Sequence, residues 1–303
     1  MSEALYGESG FYLAGGGPGR HFRTAGHVQA PWAGAIHRLA RRVADGLGSP
    51  AAFSLVDVGA GGGELLAALA DLVPPHWSLV GVDPAQRPPG LPDRVEWQPE
   101  PPDAVVGLIV AVELLDVVPI DVAVRGTDGV RLVTVSPGGE ESAGELVTGR
   151  DAQWLATWWP TAEIGDRAEL GWPRDDAWRA LTSRLTRGAA VAVDYPARPL
   201  RDTGGTLTAY RDGRQVAAIP DGRRDLTAHV LFESLCTDGD VVLSQRAALQ
   251  SLGVLGRQPQ YDGDPAGYLA GLAAAGDAAE LLDPDGLGDF TWLVHCVDVE
   301  PPL

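Results

Sequence analysis

The amino-acid sequence predicts an α/β fold: a mostly parallel sheet with helices on both faces and with inserted elements. An apolar strand at residues 53–58 runs through a glycine-rich turn at 59–63 into a helix predicted over 64–72. A second strand follows at 78–82, and a fully apolar run at 104–111 reads as a buried parallel strand beside the first. Strand, glycine loop and helix in this order are typical of nucleotide-type α/β domains.

The glycine loop indicates which ligand such a domain would bind. Its spacing is Gly59-x-Gly61-x-Gly63, and Glu64 stands where the dinucleotide fingerprint has a third glycine. This favours S-adenosylmethionine (SAM) over NAD, because SAM needs no pyrophosphate cradle. Asp83, directly after the second strand, is placed to bind ribose hydroxyls. We therefore predict that Gly59, Ala60, Gly61, Gly63 and Asp83 bind the cofactor.

The composition excludes some partners and favours others. The chain has 303 residues, is 45% hydrophobic and carries a net charge of −18, and its 23 basic residues are all arginine. A broad nucleic-acid-binding face is therefore excluded, and a basic protein or peptide partner is favoured. Neither a signal peptide nor an apolar stretch long enough to span a bilayer is present, and the histidines lack metal-ligand spacing. We expect a cytoplasmic protein without a membrane partner or bound metal.

The order of patterns along the chain predicts four regions. Residues 1–50 form an N-terminal lid loop and a helix, and residues 51–119 form the first half of the core. A tryptophan-rich insertion of a hairpin and helices occupies 120–187. The second half of the core spans 188–303, with a substrate-side insertion at about 196–238.

Several local assignments complete the prediction. A short edge strand is expected at 94–97, and a helix at 175–186 precedes a strand at 189–193. A helix capped around Asp225 or Thr227 explains the segment after the arginine-rich loop. Residues 290–299 alternate as an antiparallel strand at the sheet edge.

Two carboxylates follow the apolar strand at 104–111. Glu113 and Asp116 lie at the carboxyl end of a central strand, where open α/β sheets bind ligands, and we predict that they are catalytic. They could form a fork for a guanidinium group. Alternatively, Glu113 lies near the cofactor and Asp116 anchors the turn at Pro119. A third interpretation needs no functional site: one acid caps the main chain after the strand, and the other is exposed to solvent.

These stretches together resemble the MidA-like family of SAM-dependent methyltransferases, which includes the mitochondrial complex I assembly factor that methylates arginine. The resemblance covers nearly the whole chain. It is carried by short stretches in family order: 10–12, 57–63, 82–84 with Trp97, 113–119, 193–195, 205–207 with Tyr210, 225–230, and Gln245 with 252–254.

The resemblance implies a class I SAM-dependent methyltransferase fold, Rossmann-like, with a mostly parallel seven-stranded sheet and insertions after the fourth and fifth strands. It implies methyl transfer to an arginine side chain of a protein, with Pro84 and Thr24 added to the cofactor residues. The chain departs from the family pattern at residues 20–25, at Val112 and at Pro196. A SAM-binding or degenerate assembly factor without turnover is the alternative, and an NAD-dependent oxidoreductase is a third possibility.

Overall fold

A computed structural model describes residues 1–14, 29–197, 204–261 and 263–303. The chain divides into two compact units that are discontinuous in sequence. The core unit comprises the described residues within Arg23–Leu114, Leu181–Asp194 and Thr237–Leu303. The insertion unit comprises those within Met1–Phe22, Leu115–Ala180 and Tyr195–Cys236. The four consecutive regions expected from the sequence stay a prediction.

The strands of the described residues form three sheets. In chain order they are β1 (Ser54–Val58), β2 (Ser78–Val82), β3 (Val95–Gln98), β4 (Val105–Val112), β5 (Asp121–Gly126), β6 (Gly129–Val135), β7 (Glu141–Leu146), β8 (Arg167–Leu170), β9 (Leu185–Asp194), β10 (Thr208–Arg211), β11 (Arg214–Val216), β12 (Asp225–Thr227), β13 (Val241–Ser244) and β14 (Thr291–Val297).

The helices vary from a single turn to five turns. In chain order they are α1 (Ser2–Tyr6), α2 (Phe11–Ala14), α3 (Gln29–Gly46), α4 (Glu64–Leu69), α5 (Gly149–Trp158), α6 (Trp172–Thr182), α7 (Phe232–Leu235), α8 (Gln245–Ser251) and α9 (Pro265–Leu281), with a short 3-10 helix at Leu287–Asp289. Within the described ranges, no helix has the length and apolar character needed to cross a lipid bilayer.

The core unit is built on a seven-stranded sheet in the order β13-β14-β9-β4-β1-β2-β3. β1 pairs in parallel with β2 on one side and with β4 on the other, and β14 is antiparallel to both of its neighbours. The central strands are apolar because both sheet faces are covered: Leu55, Leu108 and Ile109 are fully buried. The predicted fold class is confirmed, including the seven strands and the insertions after the fourth and fifth strands of this sheet.

The insertion unit contains the two smaller sheets. A four-stranded antiparallel sheet has the order β7-β6-β5-β8, and a three-stranded sheet has the order β11-β10-β12. Trp154 and Trp159 belong to the apolar cluster against β5 and β8, so these two tryptophans are core residues. A second apolar cluster includes Phe11 of α2 and Leu226 of β12. The N-terminal segment therefore packs against the three-stranded sheet.

Two predicted helix boundaries are wrong. The helix after the glycine loop ends at Leu69 rather than at residue 72, because the chain tightens there into three-residue turns: the Leu72 N–H donates to the Leu69 carbonyl at 2.9 Å. Arg94 satisfies the carbonyls left open there, with Nη1 2.6 Å from the Ala70 oxygen and Nη2 2.9 Å from the Pro74 oxygen. The helix expected at 175–186 runs instead over Trp172–Thr182, since Leu185 already pairs with Val105 in the sheet.

Two further assignments are corrected by the sheets. Asp225 and Thr227 do not cap a helix; they lie in β12, where Tyr210 pairs with Asp225 and Thr208 pairs with Thr227. The last strand is antiparallel as expected, but it lies between β13 and β9 rather than at the edge. Trp292 is fully buried in that position, and the half-exposed β13 forms the edge instead.

Candidate functional site

The glycine loop of the core unit joins β1 to α4 through three residues with left-handed backbones. The φ angles are 76° at Gly59, 53° at Gly61 and 74° at Gly63. Side chains with a Cβ disfavour this region, which explains the alternate glycines. The N–H groups of Gly59 and Ala60 both donate to the Val82 carbonyl, at 2.9 and 3.2 Å, so the loop lies against the end of β2.

The three glycines differ in what surrounds them. A Cβ on Gly63 would lie 2.8 Å from Leu91, and one on Gly59 would lie 3.0 Å from Leu114. A Cβ on Gly61 would meet no atom closer than the Gly59 carbonyl oxygen at 4.0 Å. A side chain at position 59 or 63 would therefore clash with a neighbouring leucine. Gly61, in contrast, borders open space that a ligand can occupy.

Asp83 follows β2 and is joined to the loop. Its Oδ2 accepts a hydrogen bond from the Gly61 N–H at 3.0 Å, and its Oδ1 accepts one from the Ala85 N–H at 2.8 Å. Each carboxylate oxygen keeps a further lone pair that could accept from a ribose hydroxyl. Pro84 is exposed beside it. The predicted residue Thr24, with the glycine-rich lid loop, lies outside the described residues.

Removal of the Asp83 carboxylate should weaken SAM binding. We expect Asp83→Ala to lose roughly 1.5–3 kcal/mol, the usual range for hydrogen bonds to a charged group, and calorimetric titration with SAM measures it. Asp93→Ala is the matched control, since Asp93 is an exposed acid on the same loop. Asp83-dependent binding of NADH, without binding of SAM, would contradict the cofactor assignment.

Asp57 was not predicted as a site residue, although only Val58 separates it from the loop. It is a buried acid within β1, and burial, with the nearby charges of Glu64 and Asp83, raises its pKa to about 7. An acid inside an otherwise apolar parallel strand is the sequence signal that could have identified it. The carboxyl group can therefore change its protonation state near neutral pH when a charged ligand binds.

The raised pKa of Asp57 predicts a pH-dependent stability. Because the folded-state pKa lies above the unfolded value, the stability it contributes is fully present below about pH 4 and is lost as pH rises through about 7. We expect the unfolding free energy of Asp57→Asn, relative to the parent, to rise by up to about 4 kcal/mol between pH 4 and pH 8. Denaturant unfolding at several pH values measures this difference, and parallel curves would contradict it.

Glu113 belongs to the core unit and has an unusual backbone. It directly follows β4, its φ angle is 50°, and its N–H donates to the Val193 carbonyl at 2.8 Å. A left-handed glutamate is uncommon and is often found at functional sites. The side chain is half-buried at the carboxyl end of the central strand, as the sequence predicted for this position.

Asp116 belongs to the insertion unit and is almost fully buried. Its Oδ2 accepts a hydrogen bond from the Thr227 hydroxyl at 2.5 Å. Burial raises the pKa of Asp116, and the Thr227 hydrogen bond and the charge of Arg174 partly oppose this. Arg174 is itself 2% exposed and donates to the main-chain carbonyls of Asp116 and His229, at 2.8 and 2.6 Å. Asp116 is therefore held between two segments of the insertion unit.

A second buried acid lies in the same unit. Asp225 is fully buried, and its Oδ1 accepts a hydrogen bond from the Tyr12 hydroxyl at 2.8 Å. Burial raises the pKa of Asp225 to about 7, the Tyr12 hydrogen bond lowers it, and the charge of Asp116 raises it. Burial and the same two acids raise the pKa of Tyr12 well above its ordinary value. Asp225, Tyr12 and Arg174 were not predicted as site residues.

Comparison with known proteins identifies the family. The model of a family described as S-adenosyl-L-methionine-dependent methyltransferases matches residues 36–249. No curated protein matches the chain. A COG1565 superfamily member from Burkholderia thailandensis, whose crystal structure contains bound S-adenosyl-homocysteine, has a similar structure. The TM-score is 0.80 and the sequence identity is 24%, over 99% of this chain and 87% of that chain.

A second crystal structure from Burkholderia thailandensis, of an uncharacterized protein of the same superfamily, is similar in the same way. Its TM-score is 0.78, at 23% identity over 99% of this chain and 87% of that chain. At these identities the two likenesses show the fold. The match to the family model carries the family assignment, since it covers more than half of the chain and six of the seven strands of the large sheet.

Proposed function

Because the chain belongs to a family of SAM-dependent methyltransferases, we propose that it transfers the methyl group of SAM to an arginine side chain of a protein. Family membership confirms the predicted cofactor, SAM. The acceptor is our proposal, and so are the MidA-like identity, a basic protein or peptide partner and a cytoplasmic location.

The observation that carries the proposal is the geometry of the glycine loop. Gly61 borders open space, and its N–H donates a hydrogen bond to Asp83, whose carboxylate can accept hydrogen bonds from ribose hydroxyls. A backbone without side chains can approach the methionine part of SAM closely, while Asp83 accepts hydrogen bonds from the nucleoside. The presence of S-adenosyl-homocysteine, the product of SAM after transfer, in the Burkholderia thailandensis protein supports the same cofactor.

The arginine acceptor is supported by charge and by the acids of the central motif. A guanidinium group stays protonated in water and binds best to carboxylates. Glu113 and Asp116 follow the central strand, and the net charge of −18 favours a basic partner. The buried contacts of Asp116 with Thr227 and beside Arg174 favour an anchoring role for it, with Glu113 as the acid that meets a ligand.

The chain's own contribution is chiefly to position the reactants. When bound, SAM supplies an activated methyl group, and transfer is an in-line displacement that depends on the alignment of acceptor and methyl. The left-handed backbone of Glu113 directs its side chain from the end of β4, and the Val193 hydrogen bond holds that backbone in place. Arg174 holds the main chain of Asp116 and His229.

Labelled methyl transfer tests the proposal directly. We expect radioactive label from SAM in a panel of basic proteins and peptides, recovered as methylarginine after hydrolysis. The matched control replaces each arginine of a labelled peptide with lysine, which keeps the charge and should remove the label. Label in another residue type would overturn the arginine assignment.

The alternative is an assembly factor that binds SAM without turnover. The departures at His21 and Val112 from the MidA-like pattern favour it. Calorimetry with SAM and a pull-down with a basic partner distinguish the two functions. SAM binding and partner binding without any label transfer would support the assembly factor, whereas transfer would exclude it.

A further inference from the structure

Arg125 of the insertion unit lies on the apolar face of the four-stranded sheet. It pairs with Val130 between β5 and β6, so the two side chains lie on the same face. Val130 packs against the apolar cluster that contains Leu155 of α5, so this is the face that α5 covers. An arginine among apolar side chains needs a reason, because an unpaired charge is costly to remove from water.

The arginines on the opposite face of this sheet already have carboxylate partners. Arg131 and Arg167 both pair with Val124, one residue before Arg125, so their side chains lie on the other face. Arg131 Nη2 lies 2.5 Å from an oxygen of Asp128. Arg167 Nη1 lies 2.7 Å from an oxygen of Glu141.

Arg125 is held by its backbone and by one nitrogen of its guanidinium group. Its N–H donates to the Asp166 carbonyl at 2.9 Å, and its carbonyl accepts from the Gly165 N–H at 2.8 Å. Nε donates to the Thr161 carbonyl at 2.7 Å and lies 3.2 Å from the Thr161 hydroxyl. Among the residues that the structure describes, Nη1 and Nη2 have no partner, and both atoms are accessible to solvent. The guanidinium is therefore oriented, and its two terminal nitrogens are open to a ligand.

Arg125 lines a cavity of about 230 Å³ where α5 and the loop after it meet the sheet. The other lining residues are Val130, Val147, Ala152, Leu155, Ala156, Pro160 and Thr161. Ala156 and Pro160 are exposed, so a small molecule can enter from solvent. Mostly apolar walls with a few oriented polar groups are typical of small-molecule sites. All of these residues belong to the insertion unit.

We propose that this cavity binds a small molecule in which a short aliphatic chain ends in a carboxylate. The chain packs against Val130, Val147 and Leu155, and the carboxylate accepts hydrogen bonds from Nη1 and Nη2 of Arg125. A guanidinium matches a carboxylate through two parallel N–H···O bonds, and a neutral or basic ligand would leave its charge unpaired. The volume equals that of about eight water molecules at ~30 Å³ each, and hexanoate has about that number of non-hydrogen atoms.

Binding at this cavity does not depend on the proposed methyl transfer. The cavity lies within the insertion unit, whereas the glycine loop belongs to the core unit. Its ligand is measured without SAM and without a methyl acceptor. A parent protein that forms no methylarginine would contradict the proposed function alone, and a parent protein that does not bind hexanoate would contradict this site alone.

Calorimetric titration of the full-length protein with hexanoate and with 1-hexanol tests the site. The two molecules share the aliphatic chain and differ in the carboxylate. We expect hexanoate to bind at least about tenfold more tightly, because only its carboxylate can accept charge-assisted hydrogen bonds from Arg125. Equal affinities, or no detectable binding of hexanoate at millimolar concentrations, would overturn the proposal, and this measurement needs no variant.

Three variants locate the binding. Arg125→Met keeps an apolar stem and removes the charge, so hexanoate and hexanol should bind it with affinities within about twofold of each other. Arg131→Met is the matched control on the neighbouring strand, and it should keep the parent's preference for hexanoate. Ala156→Trp would place an indole ring in the cavity, and we expect the dissociation constants of both ligands to rise at least about tenfold.

Melting temperatures show which variants are folded. If Arg125→Met does not fold, the parent and Ala156→Trp titrations decide. A preference for hexanoate that survives in folded Arg125→Met, or that disappears in Arg131→Met, would overturn the proposal. Unchanged binding of hexanoate by Ala156→Trp would also overturn it.

Discussion

Replacement of Gly61 by valine should abolish SAM binding while the protein stays folded. The residue has a φ angle of 53°, which a β-branched side chain tolerates poorly, and the added methyl groups would enter the space beside the loop. We expect the dissociation constant to rise at least about 100-fold, equivalent to roughly 3 kcal/mol. Calorimetric titration with SAM and with S-adenosyl-homocysteine measures it.

Gly48→Val is the matched control for this substitution. Gly48 also lies in the core unit, has a φ angle of 77°, and a Cβ there would meet no atom within 4 Å. The two variants therefore carry a similar backbone strain, and only Gly61 lies in the loop after β1. Equal SAM affinities of the two variants would remove Gly61 from the cofactor site.

Replacement of Arg174 by methionine should strongly destabilise the insertion unit. The guanidinium is 2% exposed and donates to the carbonyls of Asp116 and His229. Its loss removes both hydrogen bonds, although the Asp116 carbonyl still accepts from the Ala228 N–H at 3.1 Å, and it raises the pKa of Asp116 further. We expect a loss of about 3 kcal/mol in unfolding free energy, since a hydrogen bond to a charged group contributes about 1.5–3 kcal/mol. Urea unfolding measures the change.

Arg179→Met provides the comparison. Arg179 lies on the same helix, α6, but its side chain is 67% exposed and pairs with Asp176 at the surface. Exposed ion pairs add little to stability, so this variant should unfold close to the parent. If Arg174→Met unfolded at the same urea concentration as Arg179→Met, the buried hydrogen bonds of Arg174 would not stabilise the unit.

The core of the fold could be predicted because its signals are local. The strand at 78–82 and the apolar strand beside β1 were predicted with nearly the observed bounds, since each is a short apolar run between turn residues. Helix α9, Pro265–Leu281, was not predicted. It consists mostly of alanine, glycine and leucine, so its sequence shows no clear polar face. The segment at Asp225 was predicted to begin a helix, but it forms a strand. The neighbouring sequence does not distinguish an aspartate that caps a helix from one in a short strand.

The site was predictable only in part, for a related reason. Glycine spacing and an acid after a strand are visible within one segment of the sequence, and Gly61 and Asp83 were predicted from them. The roles of Arg174 and Arg125 depend on partners more than 30 residues away in sequence, such as Asp116 and Thr161.

The adjacency of β4 and β9 in the sheet has a consequence for the rate of folding. β4 ends at Val112 and β9 begins at Leu185, so most of the residues between them belong to the insertion unit. The two strands can pair only after this long segment has closed into a loop, and the entropy cost of closure precedes the gain from pairing. An intervening segment that has already folded has fewer conformations left to lose. We therefore expect the insertion unit to fold early and to set the pace at which the central sheet is completed.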